Sequence, residues 1–215
     1  MKQDLSDKRK DYSQNFINFS NLPENPLELF YNWYEVATES ALIAEPYAMS
    51  LSTIGEDGFP RTRIVLLREL SQEGLVFYTN YESQKGKAIE KNKNVCLSFF
   101  WDKLEQQIIL KGTIEKIDES KSDDYFHKRP VESQIGALVS QQSNIIGMDE
   151  DLDEKVKKLS KEWEGKVVPR PENWGGYLVK PVEIEFWQGR PSRLHDRVRY
   201  QLASSGTWKK ERLAP

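Results

Sequence analysis

A single cysteine, Cys96, excludes an internal disulfide. It sits in the apolar run Val95-Cys96-Leu97, where a small core residue is expected. That cysteine and two histidines, His127 and His195, supply no ligand set for a zinc cluster and no context for cysteine–histidine catalysis, so no metal is expected. No apolar stretch approaches the roughly 20 residues of a membrane span. The start, Met1-Lys2-Gln3-Asp4-Leu5-Ser6-Asp7-Lys8, holds no apolar signal region, and a cytoplasmic protein free of membranes is expected. A basic excess is missing as well. The net charge of −3 and isoelectric point near 5.6 argue against general nucleic-acid binding. The glycines of Gly55-Glu56-Asp57-Gly58 and Gly175-Gly176 belong to turns and do not form a phosphate loop.

What is present fits one domain with a sizeable core: 215 residues, 38% hydrophobic and 30% charged. Residues 1–20 are polar and irregular, a mobile arm, and 21–215 form the domain. Asn25-Pro26-Leu27-Glu28 reads as a helix start, with Asn as cap and Pro at the first position. Leu27, Phe30, Tyr34, Ala37 and Ala41 follow at helical spacing. From Ala48 the period falls to two. Strands are expected at 48–54, 61–70, 75–80, 95–101 and 106–117, joined by short turns, with a helix at 83–92 capped by Ser83. Helices at 120–128 and 131–139 meet at Arg129-Pro130. A further helix carries the stripe Met148, Leu152, Val156, Leu159 and Trp163 and stops at Gly165. Strands return at 176–180, 182–188, 194–202 and 207–212. Sequential hairpins with few long helices favour a mainly β architecture with peripheral helices, an antiparallel barrel rather than a doubly wound sheet.

Charge clusters inside strands mark candidate sites. Arg61-Thr62-Arg63-Ile64-Val65-Leu66-Leu67-Arg68 places three arginines around an apolar run, more than a central strand carries without partners. Arg63 and Arg68 have opposite parity; either they serve different anions or a bulge intervenes. Tyr125, Arg129 and Ser133 recur at spacings of four, which on one helix would share a side. In Gly189-Arg190-Pro191-Ser192-Arg193-Leu194-His195-Asp196-Arg197 an extended chain would put Arg193, His195 and Arg197 on one face. Such a donor-rich face suits a planar anionic ligand, or is simply a solvated strand face.

The run Glu185-Phe186-Trp187-Gln188-Gly189, followed by Arg193-Leu194-His195-Asp196-Arg197, resembles the C-terminal signature of the pyridoxine/pyridoxamine 5'-phosphate oxidases. Phe77-Tyr78-Thr79-Asn80 and Ser83-Gln84-Lys85 match in order, and the likeness extends over about residues 9–215. The resemblance implies an FMN-binding split β-barrel, a homodimer with sites at the subunit interface through a C-terminal dimerisation and substrate region, and oxidation of pyridoxamine or pyridoxine 5'-phosphate to pyridoxal 5'-phosphate by dioxygen. It implies that FMN is held by Arg63, Ile64, Val65, Leu66, Leu67, Arg68, Tyr78, Thr79, Gln84, Lys85, Gln107, Gln142, Ser143, Trp187 and Arg197. The implied substrate residues are Arg9, Tyr12, Arg68, Tyr125, Arg129, Ser133, Arg193, Leu194 and His195, with Arg193 and His195 catalytic. Arg9-Lys10-Asp11-Tyr12 resembles a segment that closes over substrate. Two positions depart from the family pattern: Gln84 stands where Arg is frequent, and Arg68 where Lys is common. A flavin reductase of the same fold, or a non-catalytic binder of FMN or pyridoxal phosphate, is the alternative.

Overall fold

A computed structural model of the chain describes residues 3–4, 6–7 and 10–215; Arg9 lies outside the described residues. Nine strands and five α-helices follow in the order α1 (Pro26–Glu39), β1 (Ala48–Ile54), β2 (Pro60–Leu66), β3 (Glu69–Ser71), β4 (Gly74–Asn80), α2 (Gln84–Lys91), β5 (Asn94–Trp101), β6 (Gln106–Lys116), α3 (Glu119–Lys128), α4 (Val131–Val139), α5 (Leu152–Glu162), β7 (Trp174–Gln188), β8 (Asp196–Leu202) and β9 (Trp208–Leu213) among the described residues. The strand order is β2-β1-β5-β6-β7-β4-β3, with β7 also pairing β8 and β8 pairing β9.

Local chemistry explains most of these boundaries. Asn25 caps α1 through its side chain, which accepts the Leu27 N–H, and Pro26 occupies the first position. Helix α1 ends at Glu39, so Ala41 falls beyond it and is exposed. The Ser83 hydroxyl accepts the Gly86 N–H and starts α2. Asp151 caps α5, leaving Met148 outside the helix and fully exposed.

The chain divides into two compact units. One holds residues 1–50, 96–111 and 181–215; the other holds 51–95 and 112–180. In the first, Phe30 packs edge-on against Phe99 at 5.1 Å, and Phe186 contacts Trp33 and Tyr200 at 5.3 and 5.9 Å. In the second, Phe126, Ile135, Val168 and Trp174 form a buried cluster with Val156, Leu159 and Trp163 of the α5 stripe against it.

Three further expectations change. The run 61–70 is two strands: β2 ends at Leu66, Leu67 and Arg68 lie between the strands, and the Arg68 N–H, bonded to the Val76 carbonyl at 2.8 Å, leads into β3, which pairs with β4. The run 174–188 is one strand: Trp174 to Val179 pair with β4 and Glu183 to Gln188 with β8, so Pro181 sits in the gap where its missing N–H costs no pairing with either. Cys96 is half-buried, since Val95, Leu97, Phe99 and Trp101 take the buried face of β5 and Cys96 alternates away from them. Burial still pushes its thiol pKa up.

Candidate active site

In the second unit a cleft of about 640 Å³ opens where β2, β4, α2, α3 and α4 converge. Its residues are mainly hydroxyls, amides, aromatics and cations. Arg63 lies among them, its guanidinium donating to Thr53 Oγ1 at 2.8 Å and to the Leu51 carbonyl at 3.1 Å. Burial first, and then Arg61, lower its pKa. Lys85 is 9% exposed, its Nζ donating to Gln142 Oε1 at 2.7 Å, Thr79 Oγ1 at 3.2 Å and Ser83 Oγ at 3.4 Å. Burial, aided by Arg63, brings its pKa down to about 8. Gln84 and Ser143 line an adjoining hollow with Arg61, Thr62, Arg63 and Lys85. Ser143 holds φ at 74°, a region that residues other than glycine seldom occupy.

The break at Leu67–Arg68 resolves the parity problem. With the strand interrupted, Arg63 and Arg68 line the same cleft. Lining it with Arg68 are Tyr125 of α3, Arg129 at its C-cap and Ser133 of α4. Pro130 ends one helix and starts the next, yet all three residues line the one cleft. Tyr78, Tyr125 and Trp174 form an aromatic stack: Tyr78 and Tyr125 lie 3.9 Å apart at 16°, Tyr125 and Trp174 6.2 Å apart at 4°. The Arg129 guanidinium sits 4.7 Å from the Trp174 ring centre. Its Nη1 is buried without a hydrogen-bond partner, and burial lowers its pKa. Burial, reinforced by Glu69, pushes the Tyr78 phenol up to about 12, so it stays a proton donor at neutral pH.

Of the sequence-expected residues in this unit, Leu67 alone lines neither hollow; it is buried instead. Trp174, Asn80, Gly136, Ala137 and Ser140 also line the cleft and were not expected. Trp174 follows the Pro169-Arg170-Pro171 stretch as the first residue of β7, and nothing local in the sequence sets it against Arg129.

The first unit holds the C-terminal candidates. Trp187 pairs across the ladder with Arg197. Arg197 is bound to Glu185 at 2.8 Å and donates to the Ala214 carbonyl at 2.8 Å. The shared face expected for Arg193, His195 and Arg197 is corrected here. Residues Pro191–Arg193 form a 3-10 turn, with Ser192 and Arg193 at φ of 56° and 59°, and β8 begins only at Asp196. Strand parity therefore governs Arg197 but not Arg193 or His195. The turn folds His195 back so that its Nδ1 accepts the Arg190 N–H at 3.1 Å, which leaves the proton of the neutral ring on Nε2. The imidazole lies 4.7 Å from Trp187. Burial, then Arg193, lowers its pKa. Tyr12 meets Trp187 and His195 edge-on at 5.7 and 5.6 Å. Arg193 and Leu194 are exposed, and Gln107 donates to Ser98 Oγ at 3.3 Å.

An antiparallel strand framework with an aromatic-walled cleft lined by four cations has the chemistry to suit flat, phosphorylated molecules. Residues 37–168 match the family described as "Pyridoxamine 5'-phosphate oxidase", and residues 174–215 match "Pyridoxine 5'-phosphate oxidase C-terminal dimerisation region". The chain belongs to the pyridoxamine 5'-phosphate oxidase family. It is 54% identical to a pyridoxine/pyridoxamine 5'-phosphate oxidase of Flavobacterium johnsoniae over 98% of this chain and 99% of that one. A second such oxidase, from Flavobacterium psychrophilum, is 52% identical over 99% and 100%. Among solved structures, PhzG of Burkholderia lata 383, bound to tetrahydrophenazine-1-carboxylic acid, superposes with a TM-score of 0.88 at 28% identity, covering 96% of this chain and 100% of that one. A pyridoxamine 5'-phosphate oxidase-related, FMN binding protein of Nostoc punctiforme shares the fold, with a TM-score of 0.68 at 16% identity over 91% and 100%. The fold is the split barrel of these proteins.

Proposed function

We propose that this chain oxidises C4′ of pyridoxamine or pyridoxine 5'-phosphate to the aldehyde of pyridoxal 5'-phosphate, with FMN as cofactor and dioxygen as the electron acceptor. For the amine, substrate, dioxygen and water give aldehyde, ammonia and hydrogen peroxide; for the alcohol, substrate and dioxygen give aldehyde and hydrogen peroxide. FMN, when bound, supplies a hydride acceptor at N5 and returns the electrons to dioxygen.

One observation carries this reading. Arg63, Lys85, Arg68, Tyr125, Arg129 and Ser133 all line the one cleft, which therefore carries enough cations for two phosphates. Among the described residues no carboxylate pairs with Arg63, Lys85 or Arg129, and a buried Arg129 Nη1 awaits an acceptor. Cations wholly or partly removed from water with no carboxylate beside them suit a dianionic ligand. In this reading Arg63, Lys85, Thr79, Gln142 and Ser143 hold the FMN phosphate and ribityl chain, and Arg68, Tyr125, Arg129 and Ser133 hold the substrate phosphate. Gln107, Trp187 and Arg197 are assigned to the flavin, Arg193 and His195 to the reacting ring. His195, neutral and protonated at Nε2, can donate to an oxygen of the substrate; Arg193 can orient the ring and its C4′ substituent.

The dimerisation region supports a homodimer, and we extend the reading to an interface-sited active centre and a cytoplasmic location. No helix of the described residues is long and apolar enough to cross a membrane. The test is the visible spectrum of the purified protein mixed anaerobically with pyridoxamine 5'-phosphate. Flavin bands that bleach, and return on admitting air, establish cofactor, substrate and acceptor together. Flavin bands untouched by substrate would leave a binder or a reductase instead.

A further inference from the structure

Glu105 belongs to none of the roles above, yet it is among the most buried ionisable residues, 1% exposed. Its Oε2 accepts the backbone N–H of Ser13 at 2.8 Å and of Gln14 at 3.0 Å, and Lys10 Nζ approaches Oε1 at 3.4 Å. Its own carbonyl accepts the Gly189 N–H at 2.7 Å and Gln188 Nε2 at 3.2 Å. One residue in the turn before β6 therefore ties the N-terminal segment to the end of β7. A carboxylate removed from water needs its acceptor sites filled, and two consecutive backbone N–H groups fill them with charge-assisted bonds. The consequence lies at Tyr12, one residue before the anchored pair, whose ring is set against Trp187 and His195. The fit is tight. A Cβ on Gly189 would stand 2.8 Å from Tyr12 Cγ and 3.0 Å from Glu105 Cβ.

We propose that Glu105 is a positioning residue for the oxidation: it seats the N-terminal segment so that Tyr12 closes over the His195–Trp187 face that receives the substrate ring. The inference rests on the function proposed above and adds a residue that contacts neither cofactor nor substrate. Losing the seat weakens substrate capture while leaving the reacting groups in place, so KM moves and kcat does not.

The experiment compares Glu105→Ala, Glu105→Gln, Tyr12→Ala and the Glu105→Ala/Tyr12→Ala double variant in the FMN-loaded enzyme. Glu105→Ala should raise KM for pyridoxamine 5'-phosphate about tenfold, the scale of a lost charge-assisted anchor, with kcat held within about threefold and FMN content unchanged. Glu105→Gln keeps an oxygen for the Ser13 and Gln14 N–H groups and should restore KM to within about threefold of the parent. In the double variant the two effects should not multiply, because both remove one seat. Unchanged KM in Glu105→Ala, or effects that multiply, overturns the proposal. Where Glu105→Ala does not fold, Gly189→Ala decides, since it displaces Tyr12 with the carboxylate intact: raised KM supports the seat and parental KM refutes it. Amide hydrogen exchange at Ser13 and Gln14 separates this inference from the function itself. Both amides should be protected in the parent and exchange freely in Glu105→Ala, whether or not the parent oxidises pyridoxamine 5'-phosphate, and equal exchange in the two would end the proposal.

Discussion

Removing the Lys85 ammonium tests the cofactor side of the cleft most directly. Its Nζ is buried, bonded only to the oxygens of Gln142, Thr79 and Ser83, and its pKa is lowered to about 8 by burial and then by Arg63. At pH 7 about nine-tenths of the apo-protein carries the charge. A phosphate placed beside it favours the charged form and raises the pKa in the complex. Protons are therefore taken up on binding above pH 8, and the sign follows. The contribution of Lys85 to FMN affinity is full below about pH 8 and is lost as pH rises toward the pKa of the complex, by at most about tenfold in Kd per pH unit. Lys85→Arg should remove this step, because a guanidinium stays charged throughout. Lys85→Ala should weaken binding by roughly 1.5–3 kcal/mol, about 10- to 150-fold in Kd at pH 7, the scale of a charge-assisted hydrogen bond. Quenching of flavin fluorescence on titrating apo-protein into FMN measures each value. Tyr78, pushed up to about 12, does not titrate in the working range and leaves the step to Lys85. A parent affinity that stays flat from about pH 7 to about pH 9.5, or a Lys85→Ala affinity equal to the parent's, would refute the assignment.

Arg68→Ala should raise KM for pyridoxamine 5'-phosphate with FMN content nearly normal, and Arg68→Lys should be tolerated; steady-state kinetics with flavin quantitation decide, and loss of FMN at unchanged KM would reassign the residue to the cofactor. Arg193→Leu and His195→Asn should each lower kcat/KM by at least about 100-fold with FMN retained, read as a slowed flavin reduction in rapid mixing; a parental reduction rate would end the catalytic roles. Gly86→Ala should destabilise the fold by about 1–3 kcal/mol or more, because the added Cβ would stand 1.9 Å from the Tyr81 carbonyl oxygen, a backbone atom that cannot swing aside. Thermal melting measures it, and an unshifted midpoint would show that α2 relaxes freely.

Much of this protein was legible in its residues because the governing interactions are local. Caps at Asn25 and Ser83, the period-two run at 48–54 and the helix break at Arg129-Pro130 depend on neighbours within a few positions, and each element stands where those residues put it. The ordered likeness around Trp187 to Arg197 likewise named the family that the whole-length relatives bear out. Tertiary structure alone decided what depends on pairing between distant segments. Where the strand is interrupted at Leu67–Arg68, two arginines of opposite parity come into one cleft. Where β7 changes partners, Pro181 passes through a strand that its residue type would have ended. The 3-10 turn at Pro191–Arg193 removes His195 from strand parity and sets it beside Trp187. Trp174 reaches Arg129 across 45 residues of sequence, and Glu105 reaches Ser13 across 92, through contacts that no period or motif encodes. Residue type sets which backbone and side-chain chemistry is available at each position; only the folded chain sets which groups lose water together, and a binding site is made of groups that do.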